Sequence, residues 1–147
     1  MASEAADFFA SIVEPTVSEF LDNLQDVRRG RIAAIVLCHM ADYLALEMNK
    51  HLNTVRDELT KQCPAFSLIR DIADATKHAK LSRKARLSSS QQITRSSSIF
   101  EAPFGEGVFG EAVIVFATLD AGTAIELEPA IHSVMKALRG QLSGLVS

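Results

Sequence analysis

The chain has 147 residues, a formal net charge of −3 and a hydrophobic fraction of 48%. That is enough apolar material for one domain with its own core, and the sequence is read as a single unit, 1–147. The acidic balance argues against a dedicated duplex-DNA binder, which carries a basic footprint. No apolar run approaches the length of a membrane span.

Residues 3 to about 25 read as a first helix. Phe8, Phe9, Ile12, Val13, Val17, Phe20, Leu21 and Leu24 form its apolar face. Pro15 has no N–H and crowds the preceding turn, so a kink or a split is expected there. Met1-Ala2-Ser3-Glu4 lacks a basic region, and Glu4, Asp7 and Glu14 interrupt the apolar run, so no secretory leader is expected.

Asp22 to Gly30 reads as a polar connection, followed by a second helix from about 30 to 50. Ile32, Ile35, Val36, Met40, Tyr43 and Leu46 are expected to face one way. His39 falls inside that stripe, with Asp42 at its edge. A histidine there needs a partner for its ring nitrogens. Cys38 and Cys63 form no CxxC pair, so reduced thiols and a cytoplasmic location are expected.

Residues 51 to 62 read as a third helix or an extension of the second. Pro64 then opens a fourth, running to about Leu81 and expected to lie antiparallel to the second. Its apolar stripe is Ala65, Leu68, Ile69, Ile72, Ala73, Thr76 and Ala79. At about 100° per residue, Ser67, Asp71, Asp74 and His78 share a narrow polar edge beside it. A basic run accompanies its second half: Arg70, Lys77, Lys80, Arg83, Lys84 and Arg86. It reads either as a solvated helix end, whose cations suit the helix dipole, or as an anion or RNA patch.

From about 82 the chain reads as a polar linker or as an edge strand around Ile93, Arg95, Ile99 and Phe100. Pro103, Gly105, Gly107 and Gly110 mark a connection without the Lys-Ser/Thr ending of a phosphate loop. Ala112–Leu119 is the clearest strand, Asp120–Thr123 a tight turn, and Thr123–Leu127 a return strand. Glu128-Pro129 opens a closing helix with Ile131, Val134, Met135, Leu138 and Leu142 on its buried face. The expected class is α+β. An N-terminal antiparallel helical half (1–81) precedes an antiparallel three-stranded meander (86–127) and a closing helix (129–144).

The chemistry-bearing residues are His39 and Asp42 on the second helix and Arg70, Asp71, Asp74, Lys77 and His78 on the fourth. If they converge, His78 oriented by Asp71 is suited to moving a proton, and Arg70 or Lys77 to holding a phosphate. Imidazole with carboxylate also suits a transition metal, although neither Glu-x-x-His nor HExxH is present. The third reading is a hydrogen-bond and ion-pair network joining two helices, in a protein without chemistry of its own.

The segment Ile69-Arg70-Asp71-Ile72-Ala73-Asp74-Ala75-Thr76-Lys77-His78 resembles the catalytic-type helix of HEPN-like proteins. Together with His39-Met40-Ala41-Asp42 it also resembles small bacterial proteins that pair an HxxD helix with a DIANAxKH-type helix. The likeness covers about residues 30–81. It implies Arg70, Asp71 and His78 as catalytic residues and metal-independent RNA cleavage in a homodimer; His39, Asp42, Asp74 and Lys77 are expected as binding residues, and no cofactor is expected. The family pattern has four to six residues between Arg and His; here seven intervene. Asp71 and Asp74 add negative charge, and the meander lies outside the plain helical core of that family.

Overall fold

The computed structural model describes residues 3–96 and 113–146. The expected strand residues Ile99, Phe100 and Ala112 and the connection at Pro103, Gly105, Gly107 and Gly110 lie outside the described residues.

The first helix, α1, runs in three segments, Glu4–Phe8, Phe9–Val13 and Glu14–Leu21, with helical dihedrals across both joins. The middle segment is a π turn in which the Glu14 N–H donates to the Phe9 carbonyl. The helix neither splits nor ends at Pro15. The chain inserts one wide turn before the proline, where an α turn would drive the ring into the carbonyl four residues back. The buried stripe is Ala5, Phe9, Val13, Val17 and Phe20.

The second helix, α2, is Val27–Met48, started by the Asp26 side chain accepting from the Arg29 N–H and stopped by Asn49 at φ 52°. It is the centre of the fold. It packs against α1 and against three further helices, α3 (Leu52–Gln62), α4 (Ala65–His78) and α5 (Leu127–Val146). The Ala5 N–H donates to Glu47 Oε1 at 3.3 Å, and the Phe8 and Tyr43 rings stack at 4.2 Å, so α1 runs antiparallel to α2. Arg31 Nε donates to Thr76 Oγ1 at 2.9 Å, which sets the start of α2 against the end of α4. The expected antiparallel pairing of these two helices is therefore present.

The buried face of α2 agrees with the sequence expectation only in part. Val36 and Met40 are buried as expected and Tyr43 packs on the core, but Ala33, Ala34, Leu37, Ala41 and Leu44 also point inward, whereas Ile32 and Leu46 are 39% and 76% exposed. A central helix needs small residues so that several neighbours can approach closely, and this overrides the pull of the larger apolar side chains. His39 is exposed as a result.

Gly30 belongs to the same close-packed face, inside the helix rather than in the connection before it. A Cβ built there would lie 2.8 Å from Leu127 Cδ2 and 3.0 Å from Phe20 Cε1. Both neighbours are at most 1% exposed and cannot swing into solvent. Gly30→Ala should therefore lower stability by about 1 kcal/mol, overpacking outweighing the gain in helix propensity. Urea denaturation checks this; a more stable variant would mean that the α1–α2–α5 junction is looser than these distances show.

Beyond α4 the chain turns at Ala79 (φ 67°) and folds back on itself instead of forming a polar linker. The Leu81 N–H donates to the Ser88 carbonyl at 2.7 Å and the Ser90 N–H to the Ala79 carbonyl at 2.8 Å, closing a loop whose Leu87 is fully buried. Ser89 caps a short 3₁₀ turn, Ser90–Gln92, in a reciprocal capping box with Gln92. β1 (Ile93–Ser96), β2 (Ile114–Thr118) and β3 (Ala124–Glu126) make the expected antiparallel meander in the order β1-β2-β3. Ile93 pairs with Ala117 and Ala117 with Ile125. Val115 and Ala117 face the core, where Leu127, Ile131 and Leu138 of α5 are fully buried. One hydrophobic core joins all five helices to β1 and β2. Among the described residues no single helix is long and apolar enough to cross a membrane.

Candidate functional site

The polar edge of α4 meets the loop that comes after it. Asp71 is 3% exposed, the buried charged residue of the described core. Its Oδ1 accepts from Arg83 Nη2 at 2.7 Å and its Oδ2 from the Arg86 N–H at 2.8 Å. Arg83 Nη2 also donates to Asp74 Oδ2 at 2.8 Å. One guanidinium thus ties two carboxylates a turn apart to the loop, and both Asp71 oxygens are satisfied. This corrects the expectation that Asp71 orients His78: no hydrogen bond joins them, and the carboxylate is committed to the loop. Partial burial works against the Arg83 charge, but the hydrogen bonds it donates to Asp74 and Asp71 outweigh it, and the guanidinium holds its proton more tightly than usual. Farther along, Asp120 accepts from Gln92 and Ser88, which holds its carboxyl below the ordinary range.

Arg70 and Arg83 border a cavity of about 590 Å³. Arg56 of α3, Arg70 and Lys77 of α4, and Lys80 and Arg83 of the loop line it, with Asp74 as its carboxylate and His78 on its wall. Arg70 Nε is 3.8 Å from Asp74 Oδ2, too far to donate. The Nε atoms of Arg56 and Arg70 are buried without a hydrogen-bond partner. His78 and Lys77 are exposed, and among the described residues neither side chain has a hydrogen bond or ion pair. Clustered cations in a chain of net charge −3 raise the local potential, an arrangement that favours an anion.

His39 and Asp42 stand elsewhere. Their side chains are 55% and 41% exposed and face each other, His39 Nδ1 lying 3.2 Å from Asp42 Oδ2. Because Arg31 meets Thr76, His39 sits eight residues, about 12 Å, along α2 from that contact, while His78 lies beyond it in the opposite direction. The structure therefore gathers Arg70, Asp74, Lys77 and His78 around one cavity, ties Asp71 to the loop, and leaves His39 and Asp42 outside the lining of that cavity. Of the two histidines expected in one layer, His78 borders this cavity and His39 does not. Among the described residues no three His, Cys, Asp or Glu side chains come together in a way that would hold a metal ion. Cys38 and Cys63 are buried free thiols, and burial pushes the Cys38 pKa up to about 11.

Arg56 is the cavity residue that the sequence did not single out. It sits on a helix whose own pattern is a thin apolar face of Leu52, Val55 and Leu59, and only the packing of α3 beside α4 brings it to Arg70. Lys80 and Arg83 belong to the basic run that was legible. The sequence matches no family model, and neither curated proteins nor solved structures give a significant match.

Proposed function

We propose that the protein binds phosphate esters in the cavity between α3, α4 and the 79–89 loop, and that its substrate is RNA. The carrying observation is the meeting of Arg56, Arg70, Lys77, Lys80 and Arg83 around one cavity with a single carboxylate between them. Arg83 is held by its two aspartates, which offset its charge, so the cations left for the ester are Arg56, Arg70, Lys77 and Lys80. Arg70 supplies the planar donor suited to a phosphate. His78, exposed and unpaired, is free to take the proton of an RNA 2′-hydroxyl as that oxygen attacks the neighbouring phosphorus and the 5′-oxygen leaves. The likeness of the 69–78 segment to HEPN-like helices agrees with this reading, as does a cytoplasmic setting in which Cys38 and Cys63 stay reduced. Binding is tested by fluorescence anisotropy with a labelled single-stranded RNA. Arg56→Ala combined with Arg70→Ala should weaken binding at least tenfold, about the loss of one charged hydrogen bond; equal affinity would remove the reading.

A second reading, a protein that acts by self-association, has its own observation. Arg28, Ile32, Ile35, His39, Asp42 and Leu46 recur on α2 at alternating spacings of four and three, the seam of a helix pair, and Leu46 is 76% exposed. The stripe is basic at one end and carries Asp42 toward the other. In full antiparallel register a second copy sets Leu46 against the copy's Arg28, Ile32 against its Asp42 and Ile35 against its His39. Leu46→Glu touches no core contact and should leave folding intact while converting a dimer to a monomer in light scattering. A wild-type monomer at high concentration would exclude this reading.

A further inference from the structure

A second cavity, of about 350 Å³, is bordered by the same two arginines. It shares Arg70 and Arg83 with the first and adds Lys84 and Arg86. Its carboxylates are Asp71, already matched by Arg83, and the exposed Asp57. Thr60 and Ser67 also line it, but their hydroxyls donate to the Arg56 and Pro64 carbonyls at 2.8 and 2.9 Å, so the donors left for a ligand are the cations. The two cavities thus adjoin at Arg70 and Arg83 and together make one basic track. Arg83 is pinned at that border by two short hydrogen bonds to α4.

Resting on the phosphate-binding reading, we infer that the track seats successive phosphates of one single strand, the two arginines lying between neighbouring phosphates, and that it reads the backbone and not the bases. Two features of the structure carry this. First, a ligand with one phosphate fills one cavity and leaves the cations of the other unanswered, whereas a strand answers both. Second, no Phe, Tyr or Trp lines either cavity, and His78 is the single aromatic ring among the lining residues. Base recognition on a single strand depends on stacking platforms, and they are missing here. A duplex is a poor fit because its phosphates lie on a convex surface, while these cations line hollows.

The test measures affinity for uridine monophosphate and for uridine and adenosine oligonucleotides of increasing length, at several salt concentrations. For the wild-type protein, affinity should rise at least tenfold from the monophosphate to the tetranucleotide. It should be equal within about twofold for the two bases, with the logarithmic salt slope steepening by about 0.7 for each added phosphate contact. In Lys84→Gln/Arg86→Gln the gain on lengthening should collapse. These positions are exposed, and an unchanged denaturation midpoint verifies that the variant is folded. No binding of any of these ligands removes the phosphate-site reading itself. Binding of the monophosphate without a gain on lengthening, a gain that survives the double substitution, or a strong preference for one base overturns the track alone.

Discussion

Replacing Asp71 by alanine should destabilise the protein by roughly 3 kcal/mol, the scale for removing one partner of a buried ion pair. The carboxylate is almost fully enclosed and accepts from Arg83 and from the Arg86 backbone. Without it the Arg86 N–H loses its acceptor and Arg83 keeps only Asp74, so the loop carrying buried Leu87 is no longer anchored to α4. Asparagine should be little better, because its amide group can accept from one donor but must turn an N–H toward the other. Asp74→Ala, at a site 24% exposed, should cost about 1 kcal/mol or less. Urea denaturation of the three variants decides the matter. A loss below 1 kcal/mol for Asp71→Ala would mean that the loop is held by its backbone clip and Leu87 alone.

His78→Ala should do the opposite. The side chain is exposed and without a partner among the described residues, so stability should stay within about 0.5 kcal/mol of the parent protein. If His78 moves the proton in RNA cleavage, the rate measured in EDTA should fall by about a hundredfold or more. The pair of measurements separates chemistry from structure. Lost stability with no change in rate would make His78 a structural residue; cleavage unaffected by the substitution would remove it from the mechanism. Asp71→Ala gives the contrasting pattern, in which any loss of activity tracks the loss of the folded loop.

The polar edge of α4 was visible in the sequence because helical periodicity places residues three, four and seven apart on one side. What Asp71 bonds to was not visible, since its partner Arg83 lies beyond the helix end, in a stretch whose serines and basic residues read as linker. The loop is ordered by contacts distant in sequence: Asp71 to Arg83, and Gln92 to the Thr118 carbonyl and Asp120. Composition carries no record of such pairings. The same limit applies to His39. Its neighbours Ile32 and Leu46 are large and apolar, and periodicity counted them as core. Space around a central helix is scarce, and the alanines took the inside positions.

Local pattern alone determined the α+β class, the helix order, the meander and the antiparallel setting of α2 against α4, because each depends on side-chain period, turn residues and short connections. The tertiary structure decided which face of α2 is buried, that Gly30 lies inside a helix junction, and that Arg56 joins Arg70, Lys77, Lys80 and Arg83 around one cavity. Those outcomes depend on how closely whole elements can approach and on charges meeting across long stretches of chain. Neither is encoded in the spacing of neighbours along a single helix.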